Sequence, residues 1–311
     1  MPAIELEGLR VSYRGLRGSV VAVDGLSLTV PTGGVFGFLG ANGAGKPTAI
    51  RATVGLLRTS PGHIRVLGAD VPRRLPAVID RVGALVEQPS FFPNFSGRRN
   101  LMLLARSRGI GAKRVDAALE QVGLGERAAS RFATYSLGMK QRLGIAAAIL
   151  KDPELIVLDE PANGLDPPGI LEVRTLLREL GAQGRTVFVS SHLLSEVEQT
   201  CDRVAIIAHG RCITTGRVDE LMAGGNARHR VRLPDPTREN ETARATLARA
   251  GWVVTADDDG ALVVDVGADR AHEITRVLAE AGVFVSELAP ITRSLEDVFL
   301  ELTRAESGNE T

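Results

Sequence analysis

Cysteine, lysine and aromatic residues are scarce in this chain of 311 residues, which has two Cys, four Lys, one Trp and two Tyr. Cys201 and Cys212 are too few for a disulfide framework and lack the spacing of a metal site, so both are expected as isolated reduced thiols. The formal net charge is zero, which supplies no basic surface for a polyanion, and no nucleic-acid partner is expected. No apolar run approaches the roughly 18 to 20 residues of a membrane span, and the N-terminus lacks a signal-peptide pattern. The chain is expected to be cytosolic and to reach a membrane only through a partner.

What is present is an ordinary globular balance, 44% hydrophobic and 24% charged, in a length that suits one large or two modest domains. One of the four lysines, Lys46, closes the stretch Gly40-Ala41-Asn42-Gly43-Ala44-Gly45-Lys46-Pro47-Thr48, which follows the apolar run Val35-Phe36-Gly37-Phe38-Leu39. A strand, a glycine-rich turn and a helix start form a phosphate-binding loop. The glycines let successive N–H groups converge on an anion, and the helix offers its positive end to the same point. Gly40, Gly45 and Lys46 match the pattern of G, four residues, G, K; the next position, where Ser or Thr is usual, holds Pro47.

In chain order, Ile4 to Tyr13 and Val20 to Val30 alternate apolar and polar residues and predict half-buried antiparallel strands. Tyr13 supplies an aromatic ring near the end of the first. Ala49 to Leu57 continues the loop as a helix; His63 to Leu67 and Val82 to Val86 predict strands, the second stopping at Glu87-Gln88-Pro89. From about 90 to 134 the pattern changes to short helices around Leu101 to Arg108 and Lys113 to Val122, an inserted helical subdomain. Ser136-Leu137-Gly138-Met139-Lys140 then opens a helix, with Ser136 as its N-cap and Gly138 leaving N–H groups accessible to an anion.

The run Leu155-Ile156-Val157-Leu158 is a continuous apolar strand ending in Asp159-Glu160-Pro161. In an open parallel sheet such an end lies at the edge where ligands collect. Asp159 is suited to hold a magnesium ion, directly or through water, and Glu160 to orient or deprotonate an attacking water. Asn163-Gly164-Leu165-Asp166-Pro167 turns into a helix from about Pro168 to Leu180, and the strand Thr186 to Ser190 delivers His192 to the same edge. Strands at Arg203 to Ala208 and Arg211 to Thr215 finish this part.

With these elements in this order, residues 3 to about 222 resemble the nucleotide-binding subunit of ABC transporters; Leu137 and Met139-Lys140 in the signature loop, and the ending from Ser294 to Thr303, resemble the ABC-2 exporter type. The resemblance implies an α/β fold with a P-loop NTPase core, an antiparallel β subdomain and the inserted helical subdomain. It implies ATP and Mg2+ as cofactors. Gly40, Asn42, Gly43, Ala44, Gly45, Lys46, Pro47 and Thr48 become the Walker A loop, Tyr13 the base-stacking aromatic, and Gln88 the residue that touches magnesium and senses the membrane partner. Asp159 and Glu160 become the Walker B pair, with Glu160 and His192 catalytic, and Asp166 the D-loop aspartate. Ser136 and Gly138 take the place of the signature loop. Two subunits close head to tail, so the implied partners are a second copy of the chain and a separate transmembrane permease, at the cytoplasmic face of the membrane.

Pro47 departs from that family where Ser or Thr gives magnesium a hydroxyl and phosphate an N–H, and proline has neither. Impaired hydrolysis with residual nucleotide binding is expected, and a hydrolysis-deficient regulatory subunit is the alternative. A soluble ABC-type ATPase outside transport is the other.

Charge shifts near Gly224-Gly225: residues 226 to 311 carry 16 acidic and 10 basic side chains, against 21 and 27 before them. The expected domains are therefore 1–224 and 225–304, with a disordered tail at 305–311. The second reads as strand, helix, strand, turn, strand, helix, strand (Val283 to Leu288), helix, a small ferredoxin-like α+β domain for regulation or dimerisation. Asp257-Asp258-Asp259 before Gly260 is read as a hairpin turn.

Overall fold

The computed structural model describes residues 1–307 apart from 16, 17, 58, 60, 61, 88, 89, 224–227, 258, 268, 269, 292 and 293. Two compact units result, Met1–Val218 with Glu301–Thr311, and Asp219–Leu300. The division falls after Val218; Gly224-Gly225, where the charge shifts, lies outside the described residues.

The first unit holds two sheets. Strands β1 (Ile4–Gly15) and β2 (Gly18–Val30) pair antiparallel, as their alternation requires, and β4 (His63–Val66) and the short β5 (Ala69–Asp70) extend them in the order β2-β1-β4-β5. The second sheet has the order β10-β9-β3-β8-β7-β6. It is built from β3 (Gly34–Gly40), β6 (Val82–Leu85), β7 (Leu155–Leu158), β8 (Thr186–Ser191) and β9 (Arg203–Ala208), all parallel, with β10 (Arg211–Arg217) antiparallel at the edge. Its inner strands are apolar without alternation because both faces are covered, and all four residues of β7 are buried.

Phe188 of β8 packs on Phe38 of β3, ring centroids 5.2 Å apart, at the centre of this sheet. Both are almost fully buried. Phe188→Ala is expected to cost about 3–5 kcal/mol through lost contacts and the void left behind, read as a lower denaturant midpoint by circular dichroism.

Helix α1 (Lys46–Thr53) follows β3 and stops at Val54 and Gly55, short of the Leu57 expected, because Gly55 takes φ 75°. Helices α2 (Gly97–Arg106) and α3 (Ala112–Gln121) form the inserted subdomain. The former starts before Leu101 because Ser96 Oγ accepts the Arg99 N–H as its N-cap. Then come α4 (Leu137–Ile149), α5 (Pro167–Ala182), α6 (Leu194–Thr200) and α7 (Val218–Ala223), of which the last two are too short to show a period in the sequence.

In the second unit, β11 (Arg228–Arg232), α8 (Pro236–Arg249), β12 (Val253–Ala256), β13 (Leu262–Asp265), α9 (Ala271–Glu280) and β14 (Glu287–Ile291) give an antiparallel sheet in the order β12-β13-β11-β14. This is the ferredoxin-like arrangement, with Val231, Leu247, Val264, Ile274 and Leu278 in its core. The last strand begins at Glu287 and not at Val283. Gly282 (φ 77°) ends α9 and the Val283 N–H returns to Leu278 O at 2.9 Å, so the apolar Val283 caps the helix and joins no ladder. The turn between β12 and β13 is a hairpin whose Asp259 is bonded by Arg230 and Arg232. Helix α10 runs Leu295–Ser307, so residues 305–307 are helical where a disordered tail was expected, and 308–311 lie outside the described residues.

Candidate nucleotide site

The parallel strands β3, β7 and β8 deliver their C-terminal ends to one edge, as the rule for open sheets requires. At the end of β3 the chain has no room for a side chain. A β-carbon on Gly40 would lie 2.5 Å from Ile207 O, and one on Gly45 2.3 Å from Ala22 O. Gly45 is also the N-cap of α1 at φ 97°, without a side-chain cap. Among the described residues, no hydrogen bond engages the N–H groups of Gly43, Gly45, Lys46 or Thr48. The loop therefore presents free donors at a helix start, an anion cradle. Ala44 anchors it, buried, with its carbonyl accepting Gly210 N at 3.1 Å, while Asn42 is exposed.

Lys46 is 2% exposed. Its Nζ donates to Gly40 O at 2.5 Å and stands 3.4 Å from Glu160 Oε1. Pro47 occupies the first turn of α1, where an N–H has no partner within the helix, so the fold accommodates it without a broken bond. Thr48, also buried, shares a 3.2 Å hydrogen bond between its Oγ1 and the Tyr13 hydroxyl. Tyr13, a residue 42% exposed, thus reaches the loop from β1.

At the end of β7, Asp159 Oδ1 accepts a 2.5 Å hydrogen bond from Ser190 Oγ, and the Glu160 N–H donates to the same Oγ at 2.9 Å. Burial pushes the Asp159 carboxyl above the usual carboxylate range; the Ser190 bond acts in the opposite sense, and the charge of Glu160 adds to the rise. Glu160 sits in the left-handed region at φ 49°, a conformation that costs a non-glycine residue about 1 kcal/mol or more. Its Oε2 is 2.7 Å from His192 Nδ1. Lys46, Asp159, Glu160 and His192 are thereby assembled from three strand ends.

Ser190 is absent from the sequence-based site, although a signal existed. A hydroxyl at the end of the buried run Val187-Phe188-Val189 must find a partner, and Ser190 is fully buried. Gln88 lies outside the described residues; its neighbour Glu87 pairs with Arg51 of α1 at 3.1 Å. Ser136 and Gly138 have no bond to the cluster among the described residues. Ser136 Oγ accepts Met139 N at 3.2 Å to cap α4. Asp166 likewise caps α5 through Gly169 N at 3.2 Å. The described residues contain no group of three or more His, Cys, Asp or Glu able to hold a metal. A single carboxylate, Asp159, beside a cradle of N–H donors for phosphate is a donor set that Mg2+ accepts, since it keeps most of its waters and binds through one or two carboxylates plus phosphate oxygens.

A family model described as ABC transporter matches residues 23–163, and one described as a domain of unknown function, DUF8746, matches 227–296. A bacitracin transport ATP-binding protein of Enterococcus faecalis is 37% identical, covering 96% of each chain. A daunorubicin resistance ATP-binding protein of Streptomyces coeruleorubidus is 38% identical, covering 97% of this chain and 96% of its own. An uncharacterized ABC transporter ATP-binding protein of Bacillus subtilis (strain 168) is 38% identical over 93% of each. Among solved structures, a Clostridium perfringens protein that is part of an ABC transporter complex aligns with a TM-score of 0.64 at 26% identity, over 80% of this chain and 97% of its own. The fold is also that of an ATP-binding cassette solved as a dimer with ADP and Pi, at a TM-score of 0.63 and 21% identity over 69% and 98% of the two chains. Loop, carboxylates, histidine and relatives agree: the chain belongs to the ABC transporter family, as one of its ATP-binding subunits.

Proposed function

We propose that this chain is the ATP-binding subunit of an ABC exporter, coupling ATP binding and hydrolysis to a separate permease at the cytoplasmic face of a membrane. The observation that carries it is the meeting of Lys46, Asp159, Glu160 and His192 at one sheet edge beside a loop of free N–H donors. The export reading draws on relatives named for bacitracin transport and daunorubicin resistance. No helix among the described residues is long and apolar enough to cross a membrane, and the cargo path is assigned to the permease of this reading. The first of these is named for transport, and the Bacillus subtilis relative as an ABC transporter protein, which favours this reading over an ATPase outside transport.

Gly40, Asn42, Gly43, Ala44, Gly45, Lys46 and Thr48 bind the phosphates of ATP, and Tyr13 stacks on its base. Asp159 would hold Mg2+, with Gln88 as a second contact, and the bound ion would supply positive charge against the phosphoryl group being transferred. Glu160 orients or deprotonates the attacking water, and His192 holds that carboxylate from its far side. Ser136 and Gly138 belong to the signature loop, which completes the site of a second copy; nucleotide between two incomplete surfaces favours the closed pair. The fit is incomplete at Pro47, which offers neither hydroxyl nor N–H. Thr48 does not replace it, being about 100° further round the helix and bonded to Tyr13. Hydrolysis is therefore slowed while binding persists. The pairing of Glu160 with His192 favours a slow enzyme over a purely regulatory subunit.

A groove lined by Leu85, Phe91, Phe92, Asn100, Leu103 and Leu104 receives the permease. Phe92 is 61% exposed, and Leu103 and Leu104 are also exposed, an apolar patch left open among the described residues. Asn100 sets its shape by bonding Phe92 N and O at 2.9 and 3.1 Å. Leu104→Asp is expected to lower co-purification with a membrane-embedded permease about tenfold or more, with ATP affinity unchanged. Equal recovery of the two proteins would place the contact elsewhere.

A further inference from the structure

Both carboxylates of the site depend on a single hydroxyl that no phosphate-loop or carboxylate motif contains. Ser190 is fully buried near the end of β8, between the strand that carries Asp159 and the strand that leads to Lys46. Its Oγ meets Asp159 Oδ1 at 2.5 Å and Glu160 N at 2.9 Å. An amide N–H cannot accept, so the hydroxyl proton is directed to Asp159 and a lone pair to Glu160. The first bond fixes which carboxylate oxygen of Asp159 is engaged. Among the described residues, no hydrogen bond occupies Oδ2. The second holds the backbone of Glu160 in its left-handed turn at φ 49°. Two residues on, His192 grips the carboxylate of the same Glu160 at 2.7 Å. One strand end therefore sets the metal-side carboxylate, the water-side backbone and the water-side carboxylate together.

We infer that Ser190 is a positioning residue for Mg2+ and hydrolysis, orienting Asp159 toward the metal and Glu160 toward the water through one shared oxygen. This rests on the ATPase reading above. Residues behind metal ligands typically change metal affinity or activity 10- to 100-fold when removed, and Ser190 serves two such groups.

The test measures affinity for a fluorescent ATP analogue with Mg2+ and with EDTA, in the full chain carrying Pro47→Ser and in the same chain with Ser190→Ala, Ser190→Thr or Ser190→Cys added. The ratio of the two affinities reports the metal. Ser190→Ala is expected to lower that ratio about 10-fold or more, with the EDTA value within about twofold of the parent. Ser190→Thr keeps the hydroxyl and restores the ratio, and Ser190→Cys, near in size but a weak hydrogen-bonding group, does not. Turnover should fall in kcat, and KM for MgATP should rise with the lost affinity. A parental ratio in the Ala or Cys protein overturns the inference, as does a parallel fall in both affinities, which would make Ser190 a support of the whole loop. Should the Ala protein not fold, the Thr and Cys proteins decide alone. Absence of any Mg2+ effect in the parent would instead refute the metal role of Asp159, and the inference with it.

Discussion

Glu160→Gln, made in protein whose Pro47 is exchanged for serine so that turnover is readily measured, is expected to lower kcat for ATP hydrolysis about 100-fold or more while leaving MgATP bound. Glutamine keeps the size of the side chain and a carbonyl for His192, but it cannot take a proton from water, and positioned general bases contribute about 10²- to 10⁴-fold. Affinity should hold or rise. Glu160 Oε1 stands 3.4 Å from Lys46 Nζ, so its charge competes with phosphate for that ammonium. Removing it frees Lys46 and takes one negative charge away from the triphosphate. Equilibrium binding and single-turnover hydrolysis of the same protein check both halves. Loss of binding with turnover would make Glu160 a structural partner of Lys46, and undiminished turnover would move the general base elsewhere.

The parts of the site visible in the sequence are those whose chemistry dictates both residue type and spacing. Gly40 and Gly45 are legible because no side chain fits where Ile207 O and Ala22 O approach, and Lys46 because lysine is rare in this chain. Asp159 and Glu160 stand out because polar residues end a run with no other polar member. Ser190 was legible only as a hydroxyl that must find a partner: which partner depends on which strand lies beside β7, and sheet order is a property of tertiary structure. The Tyr13–Thr48 bond is hidden for the same reason, joining residues 35 apart on different elements. In the fold, the alternation of β1 and β2 and the unbroken apolar β7 marked their burial correctly. The start of β14 was misplaced because an apolar residue capping a helix, Val283, has the same sequence appearance as one entering a strand. Asp257 to Asp259 read correctly as a turn, yet nothing local announced that Arg230 and Arg232 would hold Asp259.

Pro47→Ser is expected to tighten MgATP binding roughly 10- to 100-fold and to raise the hydrolysis rate about tenfold or more. Serine returns an N–H to the cradle and a hydroxyl to the metal, and a hydrogen bond to a charged group is worth about 1.5 to 3 kcal/mol. The fold should barely notice, since the first-turn position uses no intrahelical N–H. The stability change is that of releasing a proline constraint in the unfolded chain, about 0.4–1 kcal/mol toward lower stability. Tyr13 and Thr48 keep their mutual bond in both proteins, so neither supplies the missing ligand.

The most direct test of the account is MgATP affinity and turnover of the chain with Pro47 and of Pro47→Ser, side by side, each assembled with the permease. The account predicts that the Pro47 chain binds ATP and hydrolyses it slowly, and that serine at 47 raises both affinity and rate. Equal, fast turnover in the two would contradict it, and would mean that another group or a water fills the place that Pro47 leaves at the metal.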